Sequence, residues 1–213
     1  MYPAPSTQTR CLLSETTQVT TSRANLDERT LRPAVFLDRD GTICDEVGYL
    51  NHVSRLRIFP FAAAAIRKLN DARLPVIVVT NQSGIARNYF PESLVHEVHE
   101  TLQAELRQEG AHIDFFYYCP HSGADACACR KPNTGMLERA AAEHGLDLGR
   151  SFVVGDRHGD VELAHNAGAR SIFVRTGYGE GDLAWHSADW PIQPNFVAPT
   201  LTEAVDWILE QSR

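Results

Sequence analysis

Long apolar runs are missing from this chain: no stretch approaches the roughly 18 residues that span a bilayer, and the N-terminal region lacks the apolar centre of a secretory signal. The expectation is therefore a cytoplasmic protein with no membrane partner. Positive charge is also in short supply. Lys and Arg total 20 against 27 Asp and Glu, a formal net charge of −7, so the overall field disfavours nucleic acid, and no basic, aromatic-rich stripe offsets it. Any anionic ligand must meet a local cluster of cations. Cysteine is too sparse and too unevenly placed for a secreted disulfide framework. Of five, an odd number, Cys119, Cys127 and Cys129 crowd together, which fits metal binding better than crosslinking.

What is present is enough apolar material, 43% of 213 residues, for one substantial core and one domain. Residues 1–32 contribute little to it. They hold ten Ser or Thr and few large apolar side chains, so their burial cannot offset their ordering entropy, and a mobile tail is expected ahead of a domain over 33–213. Glu15, Asp27 and Glu28 interrupt the acid-poor pattern of a transit peptide.

From Pro33 onward, β-branched or aromatic runs alternate with helical patterns, the arrangement of a parallel sheet covered by helices. Strands are predicted over 34–38, 76–80, 113–118, 152–155 and 171–175, and helices near 61–72, 91–109, 135–144, 161–167 and 201–211. Val76-Ile77-Val78-Val79 and Phe152-Val153-Val154 do not alternate with polar residues, as expected of strands buried on both faces. In such sheets ligands bind beyond the carboxyl ends of the strands. Asp38, Thr80 and Asp156 each end or follow an apolar strand, so three distant positions are predicted to converge on one crevice.

Four segments carry the candidate chemistry. Asp38-Arg39-Asp40-Gly41-Thr42 places two carboxylates one residue apart where a strand opens into a loop. Thr80-Asn81-Gln82-Ser83-Gly84 supplies a row of donors suited to phosphate oxygens. Cys129-Arg130-Lys131-Pro132 brings adjacent cations, and Gly155-Asp156-Arg157-His158-Gly159-Asp160 returns acids at a strand end. Taken singly, each has a plainer reading: a strand-end cap, a polar turn, or solvated surface charge. A fifth segment has Cys119 and His121, then Cys127 and Cys129, the ligand set of a closed tetrahedral zinc site with a structural role. Such a site would pin the loop that carries Arg130 and Lys131.

Together the four segments resemble the haloacid dehalogenase phosphatases, in motif order and in spacing, over essentially all of 33–213. The resemblance implies an α/β, three-layer Rossmann-like fold with a parallel sheet, no large cap domain and the zinc-bound loop. It implies that Asp38 attacks phosphorus and that Asp40 protonates the leaving oxygen and then activates water. Mg2+ would be held by the Asp38 carboxylate, the Asp40 backbone carbonyl and Asp156. Lys131 would neutralise the phosphoryl group, Thr80, Asn81, Gln82 and Ser83 would hold its oxygens, and Asp160 would act from behind these groups.

The cysteine and histidine cluster ahead of Cys129-Arg130-Lys131-Pro132 is similar to that of a subgroup holding the heptose bisphosphate phosphatases and the histidinol phosphatases. Gly48-Tyr49-Leu50, Asn81 through Arg87, and Pro132 through Met136 look more like the heptose enzymes. By that resemblance the partner is a small phosphorylated sugar, with Arg130 and Arg157 binding it and Glu46, Val47, Gly48 and Tyr49 lining its pocket. A histidinol-phosphate phosphatase is the alternative, and a non-catalytic zinc-stabilised binding module is the alternative of another class. A monomer is expected. His96, His99 and His112 read as surface or helix-flank residues, Trp185, Trp190 and Trp207 as packing anchors, and Cys44 as a small packed thiol.

Overall fold

A computed structural model of the chain describes residues 31–212. The tail expected over 1–32 thus falls almost wholly outside the described residues, as does Cys11. Arg32 is tied in: its N–H donates to the Gly145 carbonyl (3.3 Å) and its own carbonyl accepts from Asp147 (2.9 Å).

Six strands form one parallel sheet: β1 Val35–Leu37, β2 Val76–Asn81, β3 Phe115–Cys119, β4 Phe152–Gly155, β5 Arg170–Val174 and β6 Phe196–Ala198. Their order is β3-β2-β1-β4-β5-β6, so the chain reverses direction across the sheet between β3 and β4 and leaves a crevice beside the end of β1. Helices α1 Ala62–Asp71, α2 Glu92–Gln108, α3 Gly135–His144, α4 His158–Ala167, α5 Gly179–His186 and α6 Leu201–Gln211 complete the described elements, apart from three short 3-10 turns.

Side chains alternate along each strand, so the sheet builds two cores. Val35, Leu37, Val76 and Val78 face α1, α2 and α6, whereas Phe36, Ile77, Val79 and Val153 face α3 and α4. These strand residues are all buried, and the three-layer expectation holds. Helix ends follow local chemistry. Gly110, Gly145 and Gly168 adopt positive φ after α2, α3 and α4, and Thr200 with Glu203 forms a capping box on α6.

The segments from β1 to α1 and from β3 to α3 contain loops and a single 3-10 turn, with no added domain among the described residues. No described helix is long and apolar enough to cross a membrane. Two elements went unpredicted, β6 and α5. The first is a three-residue strand at the sheet edge with an exposed centre, and α5 carries Gly179 and Gly181, poor helix formers.

Candidate active site

β1 stops at Leu37, and the Asp38 N–H continues the ladder to the Val154 carbonyl (2.9 Å), which sets the Asp38 side chain at the mouth of the crevice. Gly41 follows at φ +82°, and a Cβ there would overlap the Asp156 carboxylate. Gly177 approaches the same carboxylate as closely from the turn after β5. Asp156 is thus cradled by two glycines, with its Oδ2 accepting from the Tyr178 N–H (2.8 Å). Its Oδ1 is buried with no hydrogen-bond partner among the described residues.

Lys131 crosses into this crevice from the loop before α3. Its ammonium lies 2.8 Å from Asp38 Oδ1 and 2.7 Å from Asp160 Oδ1, and it donates to the Val79 carbonyl at 3.0 Å. Burial opposes the Lys131 charge, yet Asp160 and Asp38 hold its pKa above the ordinary lysine value. Burial pushes Asp38 up to about 7 although Lys131 pulls it down, and burial together with Asp38 and Asp160 pushes Asp156 up to about 8. Asp38, Asp156 and Asp160 offer oxygens within 4.8 Å of one another, and the Lys131 ammonium pairs with two of the three carboxylates. The crevice is short of positive charge, and the unpartnered Asp156 oxygen faces that deficit. A hard cation with oxygen ligands fits this donor set.

Asp40 is held differently. Arg39, almost fully buried, grips both its oxygens through Nε (3.1 Å) and a terminal nitrogen (2.8 Å), and Gln82 donates to Oδ2 at 3.0 Å. Gln82 also reaches Thr80 Oγ1 (2.9 Å), so its amide orders two candidate residues as well as lining the cavity. Behind Arg39 sits His99, 3.3 Å from its other terminal nitrogen and stacked on Phe116. Burial and the Arg39 charge lower His99 to about 3. His99 is therefore a buried neutral ring and not the surface residue expected from sequence.

These groups surround a cavity of about 510 Å³. Asp38, Asp40, Glu46, Gly48, Tyr49, Thr80, Asn81, Gln82, Ser83, Arg130, Lys131, Asp156, Arg157 and Asp160 all line it. Val47 does not: it packs against the core, and Leu50 takes the lining place, because the left-handed Gly48 turns the loop between them. Arg55 staples this loop, donating to the Val47 and Tyr49 carbonyls and to Asn51 Oδ1. Burial raises Glu46, with the Asp40 charge adding to it. Arg39, His99, Leu50 and Tyr178 are site residues that sequence reasoning missed. Arg39, lodged between the paired aspartates, and Leu50, next to Gly48 and Tyr49, each gave a signal.

Beside the cavity, Cys119 Sγ lies 3.7 Å from Cys127 Sγ and 3.3 Å from Cys129 Sγ, and His121 Nδ1 lies 3.5 Å from Cys119 Sγ and 3.3 Å from Cys129 Sγ. A tetrahedron with metal bonds of about 2.0–2.3 Å has edges of about 3.3–3.8 Å, so these four separations are those of zinc ligands, and all four atoms lie within 4.8 Å of one another. Burial pushes the Cys119 thiol up to about 12, a cost that a cation would offset. Arg130 donates to the His121 carbonyl (3.1 Å), linking the cluster to the cavity wall. Of the remaining expectations, Cys44 is buried with its thiol well above the usual range through burial, whereas Trp185 is 81% exposed and anchors nothing.

A family model described as HAD-hyrolase-like matches residues 128–204. A D-glycero-D-manno-heptose-1,7-bisphosphate 7-phosphatase of Thermosynechococcus vestitus is 44% identical over 188 residues, covering 83% of this chain and 95% of its own. The D-glycero-beta-D-manno-heptose-1,7-bisphosphate 7-phosphatase of Escherichia coli is 36% identical, with 74% and 87% covered. Among solved structures, a D,D-heptose 1,7-bisphosphate phosphatase from B. bronchiseptica, complexed with magnesium and phosphate, superposes with a TM-score of 0.78 at 31% identity, covering 84% of this chain and 99% of that one. With the sheet order, the convergent acids and a likeness over most of the chain in agreement, the chain is a phosphatase and belongs to the heptose bisphosphate phosphatase family of haloacid dehalogenase-like hydrolases.

Proposed function

We propose that the chain removes the 7-phosphate of D-glycero-D-manno-heptose 1,7-bisphosphate by way of an aspartyl phosphate on Asp38. The observation that carries this reading is the Lys131 ammonium bound between Asp38 and Asp160 at the floor of a cavity whose walls hold two further cations, Arg130 and Arg157. An oxygen of Asp38 attacks phosphorus as the bond to the sugar oxygen breaks, and Asp40 delivers a proton to that oxygen. Asp40 then takes a proton from water as the water oxygen attacks phosphorus, which frees inorganic phosphate and restores Asp38. Splitting the hydrolysis in this way keeps a carboxylate and a dianion together only if their repulsion is cancelled. Lys131 contributes a fixed charge for that purpose, with Thr80, Asn81 and Ser83 near the phosphate oxygens.

Asp38, the Asp40 carbonyl and Asp156 would hold Mg2+, which supplies further charge against the transferring phosphoryl oxygens. Cys119, His121, Cys127 and Cys129 would hold structural zinc and keep Arg130 and Lys131 in place. We take the enzyme to act as a monomer, because the groups named above already supply the nucleophile, the acid and base and the fixed cations. The charge of a sugar bisphosphate bars it from crossing a bilayer, so the enzyme would share a compartment with its substrate, and the reading here is the cytoplasm.

The test is phosphate release in water from both anomers of the bisphosphate and from histidinol phosphate, with the product identified by phosphorus NMR. Loss of the 7-phosphate is expected. Faster turnover of histidinol phosphate, or removal of the 1-phosphate, would overturn the assignment.

A further inference from the structure

The two cations on the cavity wall are held in different ways. Arg130 spends a terminal nitrogen on the His121 carbonyl. Arg157 spends neither of its terminal nitrogens on any described residue. Its guanidinium carbon lies 4.3 Å from the centroid of the Tyr178 ring, and its Nε lies 3.3 Å from Asp182 Oδ2. Tyr178 thus occupies one face of the guanidinium and Asp182 its inner edge. What remains is the outer edge, the pair of nitrogens whose spacing matches two oxygens of a phosphate.

Tyr178 and Asp182 both come from the turn and first residues of α5, an element that takes no part in the attack on phosphorus. The Tyr178 hydroxyl has no hydrogen-bond partner among the described residues, while its backbone N–H binds Asp156. Gly177 packs against the same carboxylate, and Thr176 Oγ1 donates to the Gly41 carbonyl. One turn is therefore docked on the reaction centre through its backbone and presents an aromatic platform through its side chain. That ties the place of Arg157 to the reaction centre. A free arginine side chain half exposed to solvent would sample many rotamers and lose that entropy on binding, and a platform removes much of this loss.

We infer that Tyr178 and Asp182 are positioning residues that hold Arg157 ready for a second anionic group on the substrate, and so set a preference for bisphosphates over monophosphates. The inference rests on the function proposed above and adds what enforces its selectivity. Neither residue is asked to touch the reacting atoms. The ring and the carboxylate act through Arg157 alone.

The measurement is the ratio of kcat/KM for heptose 1,7-bisphosphate to that for heptose 7-phosphate, in the wild type and in Tyr178→Ala, Tyr178→Phe and Asp182→Ala. Tyr178→Ala and Asp182→Ala are expected to lower the ratio at least about fivefold, mainly through KM for the bisphosphate, the order of a lost cation–π contact or ion pair. Tyr178→Phe, which keeps the ring, is expected to stay within about twofold of the wild type. Turnover of the monophosphate reports folding in the same preparations. An unchanged ratio in both Ala variants, or equal losses on both substrates, would overturn the platform. If the wild type hydrolyses neither heptose, the substrate proposed above fails, and the platform is read instead from calorimetric Kd values for fructose 1,6-bisphosphate and fructose 6-phosphate, with the same expectations.

Discussion

The side-chain amide of Asn81 closes on the backbone of Lys131 from both directions, its Oδ1 accepting from the Lys131 N–H at 3.1 Å and its Nδ2 donating to the Lys131 carbonyl at 3.2 Å. Asn81 is the last residue of β2, on the rigid sheet, and Lys131 sits in the loop beyond the cysteine cluster. The clamp transfers the sheet's rigidity to the one ammonium at the reaction centre. Asn81→Ala loses two hydrogen bonds of about 1 kcal/mol each and lets Lys131 shift. The expected outcome is a fall in kcat of at least about tenfold with KM little changed, read by steady-state kinetics. Asn81→Asp keeps the acceptor and loses the donor, and is expected to fall between the two.

Asp38→Asn should abolish turnover, by at least about a thousandfold, because an amide cannot serve as the nucleophile. Its effect on the fold runs the other way. Asp38 and Asp160 share one ammonium with the Asp156 carboxylate close beside them, so removing one negative charge relieves repulsion. In chelator the variant is expected to melt no lower than the wild type by calorimetry. A marked drop in Tm would mean that Asp38 holds the fold together, contrary to the electrostatics described here.

His99 gives the fold an acid sensitivity with a definite sign. Its pKa, about 3 when folded, lies below its ordinary value of 6.5, because burial and the neighbouring Arg39 disfavour the charged ring. Between those values the unfolded chain binds the extra proton, so this contribution is fully present above about pH 6.5 and is lost as pH falls toward 3. The slope approaches about 1.4 kcal/mol per pH unit for one such group. His99→Gln, which keeps an acceptor for Arg39, should flatten the fall in urea-melt stability over that window. Equal slopes in the two proteins would exclude His99 as the sensor.

Metal analysis should find about one zinc per chain in gently purified protein, as four closed ligands imply. Chelation or Cys127→Ser is expected to loosen the loop between β3 and α3, visible as faster amide exchange there, and to lower kcat/KM at least about tenfold. The sheet should stay protected, because one of its two cores has no residue from that loop and the other is touched only by Cys119, Cys127 and Cys129.

Much of this was legible in the residues themselves. Val76 through Val79 and Phe152 through Val154 announce doubly buried strands because no polar residue interrupts them, and the polar residue that ends each run must then lie at the carboxyl edge of the sheet. That places Asp38, Thr80 and Asp156 on one rim before any coordinate is known. The grouping of Cys119, His121, Cys127 and Cys129 could be read because the four lie close together in sequence.

What the sequence alone could not specify depends on contacts between remote segments. Buried Arg39 and neutral His99 look like solvated residues until α2 is laid over β3 and closes the space around them. Val47 and Leu50 are both plausible pocket residues, and only the backbone turn at Gly48 decides which faces the cavity. The seating of Arg157 on Tyr178 and Asp182 needs α5, a helix too glycine-rich to read locally. The parallel sheet and its polar rim follow from residue order, since hydrophobic periodicity is a local property. Which charges are shared follows only from the folded arrangement, because the energy of an ion pair depends on distance and burial across residues that the chain keeps far apart.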